Sequence, residues 1–239
     1  MTVDERRAAR REALARVAAG HRPLVAIFAD LRGELADPPP IEAEPAGDAP
    51  AASRGGQVAA LEQSLRMTLE AIRERAAGGG PDEVAPGDPQ DIALWFAVDA
   101  EPVLVELADT GARRLTAERS LGAVPDVGDA GVDAAAIALA ALAGDVVQAS
   151  GGERTDGFDV VSREVLPAAA ARLTAVAVNA GYAAAARAAG LRPHQRFGEP
   201  YCPAASCYGQ DHRLLDEFVI AAAGVPPYAD DCNCTIVLD

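Results

Sequence analysis

Apolar side chains along this chain recur mostly every three to four residues, and that spacing predicts helices. Val58, Leu61, Leu65, Leu69 and Ile72 form one stripe, while Glu62 and Arg66 pair four apart on another face. Gly78, Gly79, Gly80 and Pro81 end that helix. Leu24, Ile27, Phe28, Leu31 and Leu35 repeat at the same spacing after Pro23, a residue suited to a first helical position. Residues 4–19 read as a helix too. Over 90–120, Ile92, Leu94, Trp95 and Phe96 supply an aromatic anchor, and Leu104, Leu107 and Leu115 carry the pattern past Pro102. The lone Trp95 reads as core rather than as a platform for a ligand. Residues 132–149 and 158–189 are alanine-rich and predict two closely packed helices. Pro167 should kink or divide the second, because it lacks an N–H and its ring clashes with the preceding turn.

Segment 37–56 breaks the pattern. Rich in Pro, Ala and acid, it buries too little to order itself and reads as an extended linker. The chain therefore divides into an N-terminal helical arm (1–36), this linker (37–56), a helical body (57–190) and a cysteine-bearing module (191–239). The fold class is mainly α: an elongated helical body with a small C-terminal α/β module clamped by cysteines.

Composition agrees with that picture and narrows the chemistry. Half the residues are apolar but only 4% are aromatic, so the helices must pack through Ala, Leu and Val. Every one of the 21 Lys and Arg positions is arginine. A chain without lysine has no P-loop lysine, no kinase-type lysine and no Schiff-base lysine. A GC-rich genome is the plain explanation for that bias. The formal charge is −15, which repels phosphates from the general surface. The N-terminal arm is the exception: Arg6, Arg7, Arg10, Arg11, Arg16 and Arg22 outnumber Asp4, Glu5 and Glu12. It reads either as a solvated helix face or as an arm that docks on an acidic partner or nucleic acid. The start MTVDERRAARRE is charged and leads into no apolar signal core. Uncharged stretches such as 173–186 fall short of the roughly 20 residues that span a bilayer. These features predict a cytoplasmic protein that does not contact membrane.

All four cysteines follow residue 200. Cys202 and Cys207 stand five apart, and Cys232 and Cys234 two apart. Residues 211–223 read as a short helix between the pairs. The ending after Cys234 reads as a strand whose period of two puts Cys232 and Cys234 on one face. Three states fit: tetrahedral zinc on the four thiolates, with His212 a possible substitute ligand; two disulfides joining the early pair to the late pair; or four free thiols. His212 and Asp216 would share a helix face as a capping pair or, less simply, as a ligand or oriented base.

Residues 173–239 resemble the C-terminal part of the phage Mu-type head morphogenesis (minor capsid) family. The pieces that carry the resemblance are Asn179, Gly190, Arg196 with Phe197, Cys202, Cys207, Gly209, Pro226 with Pro227, Cys232 and Cys234. This chain departs from the family in the wider first cysteine pair, in Ala229 where histidine is usual, and in Asn233 where arginine is usual. The resemblance implies a structural protein of a tailed-phage head, with the portal or the major capsid protein as partner. It would be assembled in the bacterial host cytoplasm and carried into the virion. It implies no catalysis, and the sequence shows no G-x-S-x-G, H-E-x-x-H or glycine-rich dinucleotide loop. Two further readings remain: a zinc-ribbon-like nucleic-acid binder using the arginine arm, and a zinc hydrolase built on Asp211, His212 and a cysteine. The acids around the cysteines oppose the first.

Overall fold

A computed structural model of the chain describes residues 51–78, 89–151, 157–196, 213–215, 225–227, 232 and 234–238. The N-terminal arm, with Arg6, Arg7, Arg10 and Arg11, lies outside the described residues, as does most of the linker. Helices take up 78% of what is described, so the fold is mainly α as the periodicity predicts. Helix α1 (Ala51–Gly78) stops where its glycines begin and starts at Ala51, so the last six residues counted with the linker are helical. Helix α2 (Pro89–Arg119) runs through Pro102, which sits exposed, and α3 covers Ala130–Gly151. A single turn, α4 (Gly157–Val160), passes through a π-helical turn (Val161–Val165) into α5 (Leu166–Ala188).

Pro167 explains that division. It falls in the first turn of α5, where its missing N–H leaves no bond unmade. The N–H of Leu166 reaches back to the carbonyl of Val161, five residues away, and the wider turn makes room for the ring. Two arginines of α1 hold the segment from outside. Arg73 Nη1 lies 3.0 Å from Asp159 Oδ1, and Arg66 Nη1 donates to Ser162 Oγ at 3.2 Å.

The helices form an up–down–up–down bundle. Gln57 Nε2 donates to Thr110 Oγ1 at 3.2 Å near the start of α1, while Thr68 Oγ1 donates to Asp99 Oδ2 at 2.7 Å further along. Helix α1 therefore runs antiparallel to α2. Gly131, early in α3, lies against the carbonyl of Leu104, midway along α2, whereas the far end of α3 meets Gly157 at Ala149. Asp159, two residues after Gly157, pairs with Arg73, and nearby Arg75 lies over Trp95 close to the start of α2, so α3 is antiparallel to α2 as well. Leu61, Leu65, Leu69, Ile72, Phe96, Leu104, Leu107, Leu142, Leu166 and Leu173 are fully buried in one core. Phe96, not Trp95, is the aromatic at its centre. Trp95 is half-buried at the rim, with the Arg75 guanidinium 4.5 Å from its ring centroid.

Helices α2 and α5 touch backbone to backbone. A Cβ added at Gly111 would stand 1.9 Å from the carbonyl oxygen of Val178, and one at Gly181 would stand 1.9 Å from that of Ala108. Two glycines face each other's helix, so no side chain separates the axes. The close packing anticipated for α3 and α5 is tightest between α2 and α5. Helices α1 and α3 flank this pair on opposite sides.

Helix α3 also corrects the estimate of apolar length. Ala130–Ala149 reaches a mean hydropathy of 1.7 and is long and apolar enough to cross a membrane by length and composition, with 44% of it buried. Asp133 and Asp145 interrupt its uncharged run without lowering the average below that mark.

Candidate functional site

The end of α5 directs the chain into the C-terminal module. Gly190 takes φ +75°, the N–H of Leu191 donates to the carbonyl of Ala186 at 2.8 Å, and that of Gly190 donates to Arg187 at 2.9 Å. Glycine carries this left-handed turn without steric cost, which reverses the chain sharply. Strand β1 (Pro193–Arg196) follows at once and pairs antiparallel with β2 (Thr235–Leu238), in register Pro193 with Leu238 and Arg196 with Thr235.

Residues 213–215 add a third extended piece on the other edge of β1. The N–H of Gln195 donates to the carbonyl of Arg213 at 2.9 Å, and that of Leu215 donates to Pro193 at 2.8 Å. This overturns the helix expected across 211–223 at those three positions. The physical reason is burial: extension lets Leu215 bury completely while the edge of β1 satisfies its backbone. His212 and Asp216 themselves lie outside the described residues.

The small sheet rests on α5. Leu215 and Val225, both buried, pack with Ala134, Val176, Ala180 and Ala183. Ile236 joins that cluster and a second one containing Leu115, Tyr182, Ala185 and Ala186. Two α5 side chains fix the module's backbone. Asn179 Nδ2 donates to the carbonyl of Pro226 at 2.7 Å, and Arg187 Nη1 donates to that of Leu215 at 3.2 Å. Neither contact was legible from spacing, because each joins residues far apart in sequence through a backbone oxygen. Beside them, Tyr182 Oη donates to Glu118 Oε2 at 2.8 Å, and Arg114 lies 2.7 Å from the other carboxylate oxygen. Burial, and then the Glu118 carboxylate, push the Tyr182 hydroxyl up to about 12.

Cys234 is buried immediately before β2, and Cys232 is half-buried two residues earlier. An extended chain places such a pair about 7 Å apart along its axis, close enough to aim at one point. Cys202 and Cys207 lie outside the described residues. Among those that are described, no three His, Cys, Asp or Glu side chains are grouped to hold a metal ion. Of the four cysteines proposed from the sequence, the described residues hold two, Cys232 and Cys234, both at the root of β2. Comparison with protein-family models, with curated proteins and with solved structures finds no match to this chain.

Proposed function

We propose that this chain is a structural, non-catalytic minor capsid protein of a tailed phage or a phage-derived particle. It acts through contacts near the portal while the head assembles. The observation that supports the reading most is the bond from Asn179 to Pro226. Two residues that carry the resemblance, separated by 47 positions, meet at the junction of body and module. Gly190 and the strand after Cys234 sit at the same junction. The partner is the portal or the major capsid protein, and any contact with nucleic acid would run through Arg6, Arg7, Arg10 and Arg11 of the arm.

Cys232 and Cys234, together with Cys202 and Cys207, would hold the module closed. Zinc would supply the link in a reducing cytoplasm, and disulfides would supply it in a particle outside the cell. The role of the pair is to fasten the incoming end of β2. Metal analysis after reducing purification, beside non-reducing mass spectrometry, separates the two. Cys232→Ser with Cys234→Ser should expose the module to protease and spare the helices; unchanged resistance refutes the clamp. For the assembly role, particles are purified from a host carrying the locus and their proteins quantified. A few copies per head, and defective heads when the gene is deleted, are the expected results. Normal particles without the chain would overturn the proposal.

A further inference from the structure

Three elements meet around a cavity that the bundle leaves open. It holds about 350 Å3, between α3 and the joint of the π-helical turn with α5. Buried Leu142 and Ala169 form its floor, while Ala141, exposed, and Ala168, half-buried, stand at its mouth. Each element contributes one charge to the lining: Asp145 from α3, Glu164 from the π-helical turn and Arg172 from α5. Single π-helical turns recur at functional sites. Asp145 and Glu164 are exposed, and among the described residues neither makes an ion pair or a hydrogen bond. Arg172 is half-buried, with its Nε shielded from solvent. The guanidinium and the two carboxylates thus line one space without pairing with each other.

We propose that this cavity binds a small zwitterion with an apolar side chain, of the size and charge of an aliphatic α-amino acid. A lone cation there is opposed by Arg172, and a lone anion is opposed by two carboxylates. A molecule carrying both signs on one carbon meets neither obstacle. Its ammonium has three donors to share between Asp145 and Glu164, and its carboxylate accepts from the Arg172 guanidinium. Its side chain covers Leu142 and Ala169, removing apolar surface from water. Cavities from about 300 Å3 upward hold small molecules, with mostly apolar walls and a few polar groups that fix orientation. Alanine at 141 and 168 keeps the mouth open, where one larger side chain would close it. This inference is independent of the assembly role.

The test titrates L-leucine into the isotope-labelled full chain at neutral pH and follows the backbone amide shifts. Saturable shifts at Ala141, Asp145, Glu164 and Ala168, half-complete at or below about 1 mM, are expected. Isopentylamine lacks the carboxylate and isocaproate lacks the ammonium, so each should bind about tenfold more weakly or worse. Glu164→Gln, at an exposed position, should weaken leucine about tenfold, and Arg172→Gln should do the same. Ala168→Leu keeps all three charges but fills the cavity, and should abolish the shifts at unchanged circular dichroism. Absence of saturation by about 10 mM leucine would overturn the proposal. So would equal binding of isocaproate, unchanged binding by Glu164→Gln, or equal binding of isopentylamine, which would mark a seat for a partner's basic side chain instead.

Discussion

Gly181→Ala should destabilise the bundle although alanine is the better helix former. The new methyl would start 1.9 Å from the Ala108 carbonyl oxygen, 2.5 Å from its carbon and 2.6 Å from its Cα. None of those backbone atoms can rotate aside. Ordinary contact begins near 3.4 Å, so the two axes must part by about 1.5 Å. Alanine contributes about 1 kcal/mol of helix propensity. Forced overpacking costs about 1–3 kcal/mol. Parting α2 from α5 also loosens Leu104, Leu107 and Leu173, which the two helices bury between them. With backbone atoms on both sides the overpacking cost falls at the upper end of its range, so after the gain in propensity the net loss is about 2 kcal/mol, or a fall in Tm of about 4–8 °C for a chain of this size. Urea unfolding followed by circular dichroism measures it, with Gly56→Ala as control. Gly56 is exposed on α1 with nothing near its missing Cβ, so alanine there should gain up to about 1 kcal/mol. Gly111→Ala belongs to the same contact, and the double variant should lose less than the sum of the singles. Equal stability of Gly181→Ala and the parent would refute direct backbone contact between the central helices.

The junction with the module yields two further tests. Tyr182→Phe removes the bond to Glu118 and should cost about 1 kcal/mol. Because the Tyr182 hydroxyl is raised from 10.0 to about 12 in the fold, its contribution is whole below pH 10 and lost as pH climbs through 12. The parent should therefore lose stability more steeply than Tyr182→Phe between those values, and parallel curves would contradict the network. Asn179→Ala leaves the Pro226 carbonyl without its donor and should raise amide exchange of β2 severalfold at unchanged bundle Tm. If β2 keeps its protection, the module is held by apolar contact alone.

The helices of the body were legible because their stripes are regular. Leu61, Leu65, Leu69 and Ile72 are buried as the spacing requires, and Pro167 divides its helix where the missing N–H demands. What periodicity could not reveal is pairing. Gly111 and Gly181 look like two mid-helix weaknesses until the helices are set against each other. Leu214 and Leu215 stand in a run with apolar helical spacing, yet the open edge of β1 captures them as extended chain. Local preference gave way there to a backbone partner supplied from 20 residues away. Trp95 misled by size: the larger ring stays at the rim under Arg75, and Phe96 fills the core. The cysteine spacing is plain in the sequence, but only the later pair falls within the described residues, at the root of β2.

The direct contact of α2 with α5 has consequences for the rest of the molecule. Once the central pair touches, α1 and α3 cannot meet, and each must flank the pair with one face inward. Helix α1 has arginines and glutamates to turn outward. Helix α3, with alanines and a glycine in the same place, has not. The asymmetry is therefore in composition and not in topology, since both helices pack on the same two neighbours. The sheet has a similar dependence. Strands of four residues are marginal alone, and its described apolar residues Leu215, Val225 and Ile236 pack on α5. The module owes its position to α5, through those apolar contacts and the bonds from Asn179 and Arg187 to its backbone.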